Sequence, residues 1–581
     1  MPEVSAWTGP RRSGGIVNLF DRLLGSTAAA DRPLLRTPDG EVLSYGDLDR
    51  LSSRFAWVLH ARGVRPGDRV AVQVEKTPEA LALYLAVLRA GAVHLPLNTS
   101  YTEREVAYFL ENASPKVFVC STPRRSEYSN DDPDVDKASP APVTGQPRVQ
   151  FLTLGGDGDG GLLRESRTQP DRFPTVGRSP SDLAAIVYTS GTTGRPKGAM
   201  LTHQNLLANG EVLREAWRFT EQDVLLHALP IYHVHGLFVA IHTVMLSGAS
   251  LLWLPKFDAD VVVNLLPEST VFMGVPTYYS RLLSHPDLRP ELVHGMRLFT
   301  SGSAPLSPEI HREFSRCTRH DILERYGMTE TGMITSNPYC GERIPGTVGP
   351  PLRGVSVRIA DPESGAELAD GEVGSIEVRG ENVFTGYWKM PEVSRSEFRE
   401  DGFFITGDMG RIDERGYVSI LGRGKDLVIS GGLNVYPKEV EDAIDALPGV
   451  AESAVIGVPH PDFGEAVVAV VVPAASGPTA SDSAVQMPTG RATSKQSKTP
   501  SESLVPTESR SPSESLVPTE SRSPNASQTV AGKGIVDALR ADLAAFKLPK
   551  AVVFLDELPR NSMGKVQKNL LRDSYRDLFV G

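Results

Sequence analysis

Eleven consecutive residues, Tyr188-Thr189-Ser190-Gly191-Thr192-Thr193-Gly194-Arg195-Pro196-Lys197-Gly198, hold four Ser/Thr hydroxyls, three glycines and a lysine. Glycines let a backbone close on an anion and turn its N–H groups toward it. The hydroxyls add donors and Lys197 adds charge, so the chemistry these residues suggest is a grip on phosphate. The spacing is not that of G-x-x-x-x-G-K-[ST], because the lysine follows Pro196 and Gly198 is followed by alanine. A Gly/Ser/Thr linker would share the composition. Against a linker stands the apolar run from Leu183 to Val187, which reads as a buried strand feeding the loop.

Further groups suit a nucleotide. Arg325-Tyr326-Gly327-Met328-Thr329-Glu330 follows the apolar Ile322-Leu323. A glycine beside an aromatic can admit a flat ring, and a carboxylate such as Glu330 can hold a magnesium ion bridging phosphates. Asp408, after Phe403-Phe404-Ile405-Thr406-Gly407, can accept from both hydroxyls of a ribose. Thr-Gly-Asp by itself is also ordinary turn chemistry. Gly422-Arg423-Gly424-Lys425-Asp426 and Pro559-Arg560-Asn561-Ser562-Met563-Gly564-Lys565 add cations on glycine-rich turns.

A scaffold must bring these groups together. Strand-like runs occur at Arg69–Val74, Val224–Leu229, Leu251–Leu254, Val271–Gly274, Arg297–Thr300 and Ala466–Val472, separated by helical patterns. Pro78–Leu88 reads as a buried helix with Thr77 as N-cap. This alternation predicts an α/β fold with largely parallel sheets. Residues 123–147 read as an exposed loop. Residues 474–530 contain no aromatic side chain and are rich in Ser, Thr, Pro and Glu. Within them S-E-S-L-V-P-T-E-S-R-S-P runs from Ser501 to Pro512 and again from Ser513 to Pro524. Such a composition cannot repay its ordering entropy, so it reads as a disordered insert with no identifiable partner. An amphipathic helix is expected at Gly534–Phe546.

The 581 residues allow more than one domain. A net charge of -11 offers no general attraction to nucleic acid or an anionic membrane. No apolar run approaches the ~20 residues that span a bilayer. The three cysteines, Cys120, Cys317 and Cys340, are scattered and suggest a reducing compartment. With no signal core at the N-terminus, the cytoplasm is the expected location.

Taken in order, these motifs resemble those of the adenylate-forming superfamily, which includes acyl-CoA synthetases, luciferases and peptide-synthetase adenylation domains. The resemblance covers the chain except its N-terminal tail and the insert. It implies a large N-terminal domain of several subdomains (1–421), a hinge (422–426, with Lys425), and a small mobile α+β C-terminal domain (427–581) interrupted by the insert at 474–530. It also implies roles. Thr189, Ser190, Gly191, Thr192, Thr193, Gly194 and Lys197 wrap the ATP phosphates. Gly302, Ser303, Ala304, Arg325, Tyr326, Gly327, Met328 and Thr329 line the adenine slot. Glu330 binds Mg2+, Asp408 holds the ribose with Arg423 nearby, Lys565 is the adenylation lysine, and Gly432 flanks a tunnel for coenzyme A.

The acid is indicated by a narrower resemblance. Ile231-Tyr232-His233-Val234-His235-Gly236-Leu237 and Met273-Gly274-Val275-Pro276-Thr277-Tyr278-Tyr279-Ser280-Arg281, with Ser301–Pro305 and Glu324–Glu330, resemble malonyl-CoA synthetases. There His233 gates the carboxylate and Arg281 binds a distal carboxylate, a task suited to an arginine fork. Ser303, Val234 and Met333 complete the implied acid pocket, and a methylmalonate methyl would meet Val234 and Met333. The implied reaction is ATP + malonate + CoA to malonyl-CoA, AMP and pyrophosphate, with some use of methylmalonate. The alternatives are a CoA ligase for another short acid, an enzyme loading a carrier-protein thiol, and a scaffold presenting the insert. His233-x-His235 has no evident third ligand for a metal.

Overall fold

The computed structural model describes residues 18–24, 30–121, 149–156, 159–189, 196–430, 433–474, 526–540, 542–561 and 564–579. The chain divides into two compact units. The first comprises Met1–Leu427 with Arg560–Val566, and the second Val428–Pro559 with Gln567–Gly581.

The first unit is built on two mainly parallel sheets and a smaller antiparallel one. One sheet has six strands, ordered Gln150–Thr153, Val117–Cys120, Arg69–Gln73, Val93–Pro96, Leu183–Thr189 and Lys197–Thr202. Its last pair is an antiparallel hairpin in which Thr189 lies opposite Lys197. The other has eight strands, ordered Gly332–Ser336, Leu323–Met328, Leu298–Ser301, Val271–Gly274, Val224–His227, Ser250–Trp253, Pro33–Arg36 and Val42–Ser44. Its central strands are parallel. Val271–Gly274 and Leu298–Ser301 are buried along their whole length, as expected where helices cover both faces of a parallel sheet. The predicted strands recur to within three residues at either end. The predicted helix is Pro78–Arg89, capped by the Thr77 side chain accepting from the Ala80 N–H at 3.2 Å. It is apolar on every face and sits in the main core. The antiparallel sheet, Val355–Ala360, Gly374–Gly380, Phe404–Ile412 and Val418–Arg423, sets Asp408 opposite Arg423.

The second unit is α+β. Leu433–Val435, Val428–Ser430, Gly464–Pro473 and Val450–His460 form its sheet, with Ala551–Phe554 added alongside Gly464–Pro473. The helix expected at Gly534–Phe546 is instead Ala526–Leu539. No proline lies between Pro524 and Leu539, so nothing in the sequence stops the helix from starting earlier. The loop at 123–147, the repeat at 501–524 and most of the proposed insert lie outside the described residues. Among the described residues no helix is long and apolar enough to cross a membrane.

Candidate active site

In open parallel sheets, ligands sit beyond the carboxyl ends of the strands. The chain leaving Val224–His227 carries His233, Val234 and His235. The chain leaving Val271–Gly274 enters the helix Pro276–Leu283, which bears Thr277 and Arg281. The chain leaving Leu298–Ser301 carries Gly302 and Ser303, and Leu323–Met328 itself contains Arg325 and Tyr326.

One side of this region is crowded with basic groups. His235–Ile241 winds as a π-helix, a form that recurs at functional sites. The His235 backbone N–H donates to His233 Nδ1 at 3.3 Å, which leaves the ring proton on Nε2. Burial, then the charges of Arg325 and Lys565, push the His233 imidazole down to about 4, so it is neutral at pH 7. The Ser303 hydroxyl lies 3.2 Å from His235 Nδ1. Ser303 holds a left-handed φ of 72°, uncommon for a residue with a side chain. A Cβ on Gly302 would overlap the Arg325 guanidinium, so only glycine lets that arginine fill its place.

Arg325 is the unusual group here. It is 2 % exposed, and its Nε and Nη2 have no hydrogen-bond partner. It makes no ion pair among the described residues, and burial pulls its guanidinium down to about 10. Lys565 belongs to a tight turn in which Asn561 Oδ1 accepts from the Lys565 N–H at 3.0 Å and the Gly564 N–H donates to the Asn561 carbonyl at 2.8 Å. Gly564, at a φ of 74°, comes so near Thr277 that an added Cβ would lie 3.0 Å from its Oγ1. Arg281, one turn beyond Thr277, is exposed and forms no ion pair among the described residues. It lines an open cavity of about 450 Å³ with Phe257, Asp258, Ala259, Ser280 and Ser284. The structure thus brings His233, His235, Ser303, Arg325 and Lys565 together, whereas the cavity that Arg281 lines contains none of these residues.

The other side, around Asp408, Lys197 and Glu330, has the opposite character. Asp408 accepts from the Tyr326 hydroxyl and pairs with Arg423 Nε at 2.9 Å, while its own N–H donates to Thr406 Oγ1 at 3.0 Å. Burial, then Asp408, holds Tyr326 protonated well above the usual phenol range. Lys197 pairs with Glu397 at 2.6 Å and sits 4.4 Å from the centre of the Tyr387 ring. The Tyr387 oxygen lies 3.0 Å from a carboxylate oxygen of Glu330 and 3.0 Å from one of Glu397. Glu330 is buried, which raises its carboxyl above the ordinary value. A single buried carboxylate suits Mg2+, which usually takes one or two protein carboxylates together with substrate phosphates.

Several other predicted residues have a described place. Gly327 packs against Gly332 and Met333 in the hairpin that follows it, where any Cβ would collide. Met333 and Val234 are each 3 % exposed. Ala304, Met328 and Thr329 are half-buried. Lys425 lies in the 3₁₀ turn Gly424–Asp426. Ser190, Gly191, Thr192, Thr193, Gly194 and Gly432 lie outside the described residues. Neither Tyr387 nor Glu397, which is far from Lys197 along the chain, carries a role in the sequence motifs. An acidic residue that meets a distant lysine leaves no local signal.

Residues 25–388 match the model of the AMP-binding enzyme family, and residues 439–492 match the AMP-binding enzyme C-terminal domain. The chain belongs to the AMP-binding enzymes, with a large N-terminal and a small C-terminal domain. It is 34% identical to a probable CoA ligase, CCL8, of Humulus lupulus, over 88% of this chain and 81% of that one. It is 30% identical to a malonate–CoA ligase of Arabidopsis thaliana, over 97% and 90% of the two chains. It is 49% identical to MatB from Rhodopseudomonas palustris, solved with ATP bound, with a TM-score of 0.83 over 97% of this chain and 100% of that one.

Proposed function

We propose that the protein ligates malonate to coenzyme A using ATP, yielding malonyl-CoA, AMP and pyrophosphate. The observation that carries this reading is the unpaired Arg325. A buried charge without a partner is destabilising by several kcal/mol, and among the described residues no carboxylate pairs with this one. An acid with one carboxylate would meet Lys565 and leave Arg325 unsatisfied. A dicarboxylate satisfies both ends. The malonate–CoA ligases among its relatives support the same substrate.

In this reading the reacting carboxylate attacks the α-phosphate and pyrophosphate departs. Lys565 holds the carboxylate and the α-phosphate together as negative charge gathers, and the neutral His233 donates its Nε2–H to the carboxylate. The loop from Thr189 to Lys197 grips the departing phosphates, and Lys197 exchanges Glu397 for them. Asp408 takes the ribose hydroxyls, with Tyr326 and Arg423 keeping it in place. Glu330 would hold Mg2+, which when bound neutralises phosphate charge. A thiol then attacks the acyl carbon, loses its proton, and AMP leaves. Coenzyme A is the expected thiol, with Gly432 beside its path. Val234 and Met333 border the α-carbon, where a methyl is worth only ~1–3 kcal/mol, so methylmalonate is a second substrate.

The test is AMP formation from ATP and CoA with malonate, methylmalonate, acetate, propionate and benzoate in parallel. Malonate and then methylmalonate should lead. Equal use of a monocarboxylate would overturn the substrate while leaving acid activation standing.

A further inference from the structure

Lys76 is a buried lysine that pairs with no carboxylate among the described residues. It is 8 % exposed, and its Nζ lies 2.7 Å from His227 Nδ1 and 2.8 Å from the His227 carbonyl oxygen. It also lies 4.5 Å from the centre of the Trp253 ring, on which the His227 imidazole stacks at 5.3 Å and 8°. On the other side of the ring, His227 Nε2 is 3.0 Å from the carbonyl oxygen of Gly236. Burial holds the Lys76 ammonium well below the usual lysine range, and burial followed by Lys76 keeps His227 neutral.

The contacts fix the protons. An amine or ammonium can donate to Nδ1, so the ring proton sits on Nε2 and is donated to Gly236. The chain of contacts joins three elements. Lys76 follows Arg69–Gln73 of the six-stranded sheet, His227 ends Val224–His227 of the eight-stranded sheet, and Gly236 lies in the first turn of the π-helix. Gly236 packs closely against the preceding turn: a Cβ there would overlap the Pro230 carbonyl oxygen. The same turn places His235 against Ser303 and His233 toward the acid, and the Leu237 N–H donates to the His233 carbonyl at 3.0 Å.

We infer that Lys76 and His227 are positioning residues for the acid: they tie the two sheets to the first turn of the π-helix and so set His233 and His235 against the substrate carboxylate. The inference rests on the acid-activating reading of this site. Wild-type turnover with malonate tests that reading first. The variants are then compared with wild type on whichever acid it turns over, so failure of the substrate assignment is distinguishable from failure of the relay.

Three variants test it by steady-state AMP formation with the full-length enzyme. Lys76→Met keeps the apolar stem and removes both hydrogen bonds. His227→Leu removes the relay, whereas His227→Gln can still accept from Lys76 and donate to Gly236. Lys76→Met and His227→Leu should each raise the acid KM about tenfold or more, while the ATP KM stays within about twofold. His227→Gln should keep the acid KM within about threefold of wild type. An unchanged acid KM in Lys76→Met or His227→Leu would overturn the inference. So would a His227→Gln as impaired as His227→Leu, or losses shared equally between acid and ATP, as general destabilisation would give. Should Lys76→Met not fold, the two His227 variants make the same comparison.

Discussion

The acid side and the ribose side of this site are prepared for their ligands in opposite ways. Asp408 is satisfied before any nucleotide arrives, by the Tyr326 hydroxyl and by Arg423 at 2.9 Å. Arg325 is left with two donor nitrogens unsatisfied in a pocket of neutral histidines. A satisfied carboxylate is rigid and stabilises the fold, so it holds a ribose with little cost of ordering. An unsatisfied buried cation destabilises the empty protein and rejects any ligand that leaves it unpaired. The two ends divide the work: the ribose side orients the nucleotide, and the acid side selects the acid.

The largest effect should come from the lysine both ends share. Lys565→Ala should lower acid-dependent pyrophosphate release about 10²–10³-fold, because charge gathers there as the adenylate forms. Arg325→Gln separates the two ends most sharply. It should reduce kcat/KM for malonate about 10³-fold, as expected when a polar group's partner is removed. It should also raise the melting temperature of the empty protein by removing an unpaired buried charge. Asp408→Asn should do the reverse to stability, with a loss of about 2 kcal/mol in denaturant unfolding as Arg423 and Tyr326 lose their anion. Its ATP KM should rise while acid selectivity stays. If both substitutions shift stability in the same direction, the contrast between the ends is wrong. Arg281→Ala, at an exposed site, should leave stability within about 0.5 kcal/mol and weaken malonate use less than Arg325→Gln does.

A pH dependence accompanies these effects. His233 and His203 fall to about 4 and His94 and His242 to about 3, each chiefly through burial, from an ordinary value of 6.5. Folding therefore excludes protons that the unfolded chain binds. The stability these rings contribute is complete above about 6.5 and is lost as the pH falls toward 4. Thermal unfolding across that window should show the decline, and His233→Gln should make it shallower.

Much of this was legible in the sequence because it is local. Strands announced themselves by short apolar runs, and Thr77-Pro78 marked a helix start that the structure keeps. The anion-gripping chemistry lay in contiguous motifs. The partners were not legible. Glu397 meets Lys197, Tyr387 meets Glu330, and Lys76 meets His227, each across long stretches of chain. Only the pairing of strands and the crossing of sheets bring them together. Arg325 could be numbered from its motif, yet its lack of a counter-ion is a property of everything packed around it. The helix at Ala526–Leu539 was placed too late because composition marks where order ends less sharply than a proline does.

The central claim is that Arg325 awaits the second carboxylate of the substrate. The most direct measurement is the ratio of kcat/KM for malonate over acetate, read as AMP formation, in wild type, Arg325→Gln and Arg281→Ala. The account predicts a high ratio in wild type, a collapse toward unity in Arg325→Gln, and a smaller fall in Arg281→Ala. A ratio that survives intact in Arg325→Gln would contradict it.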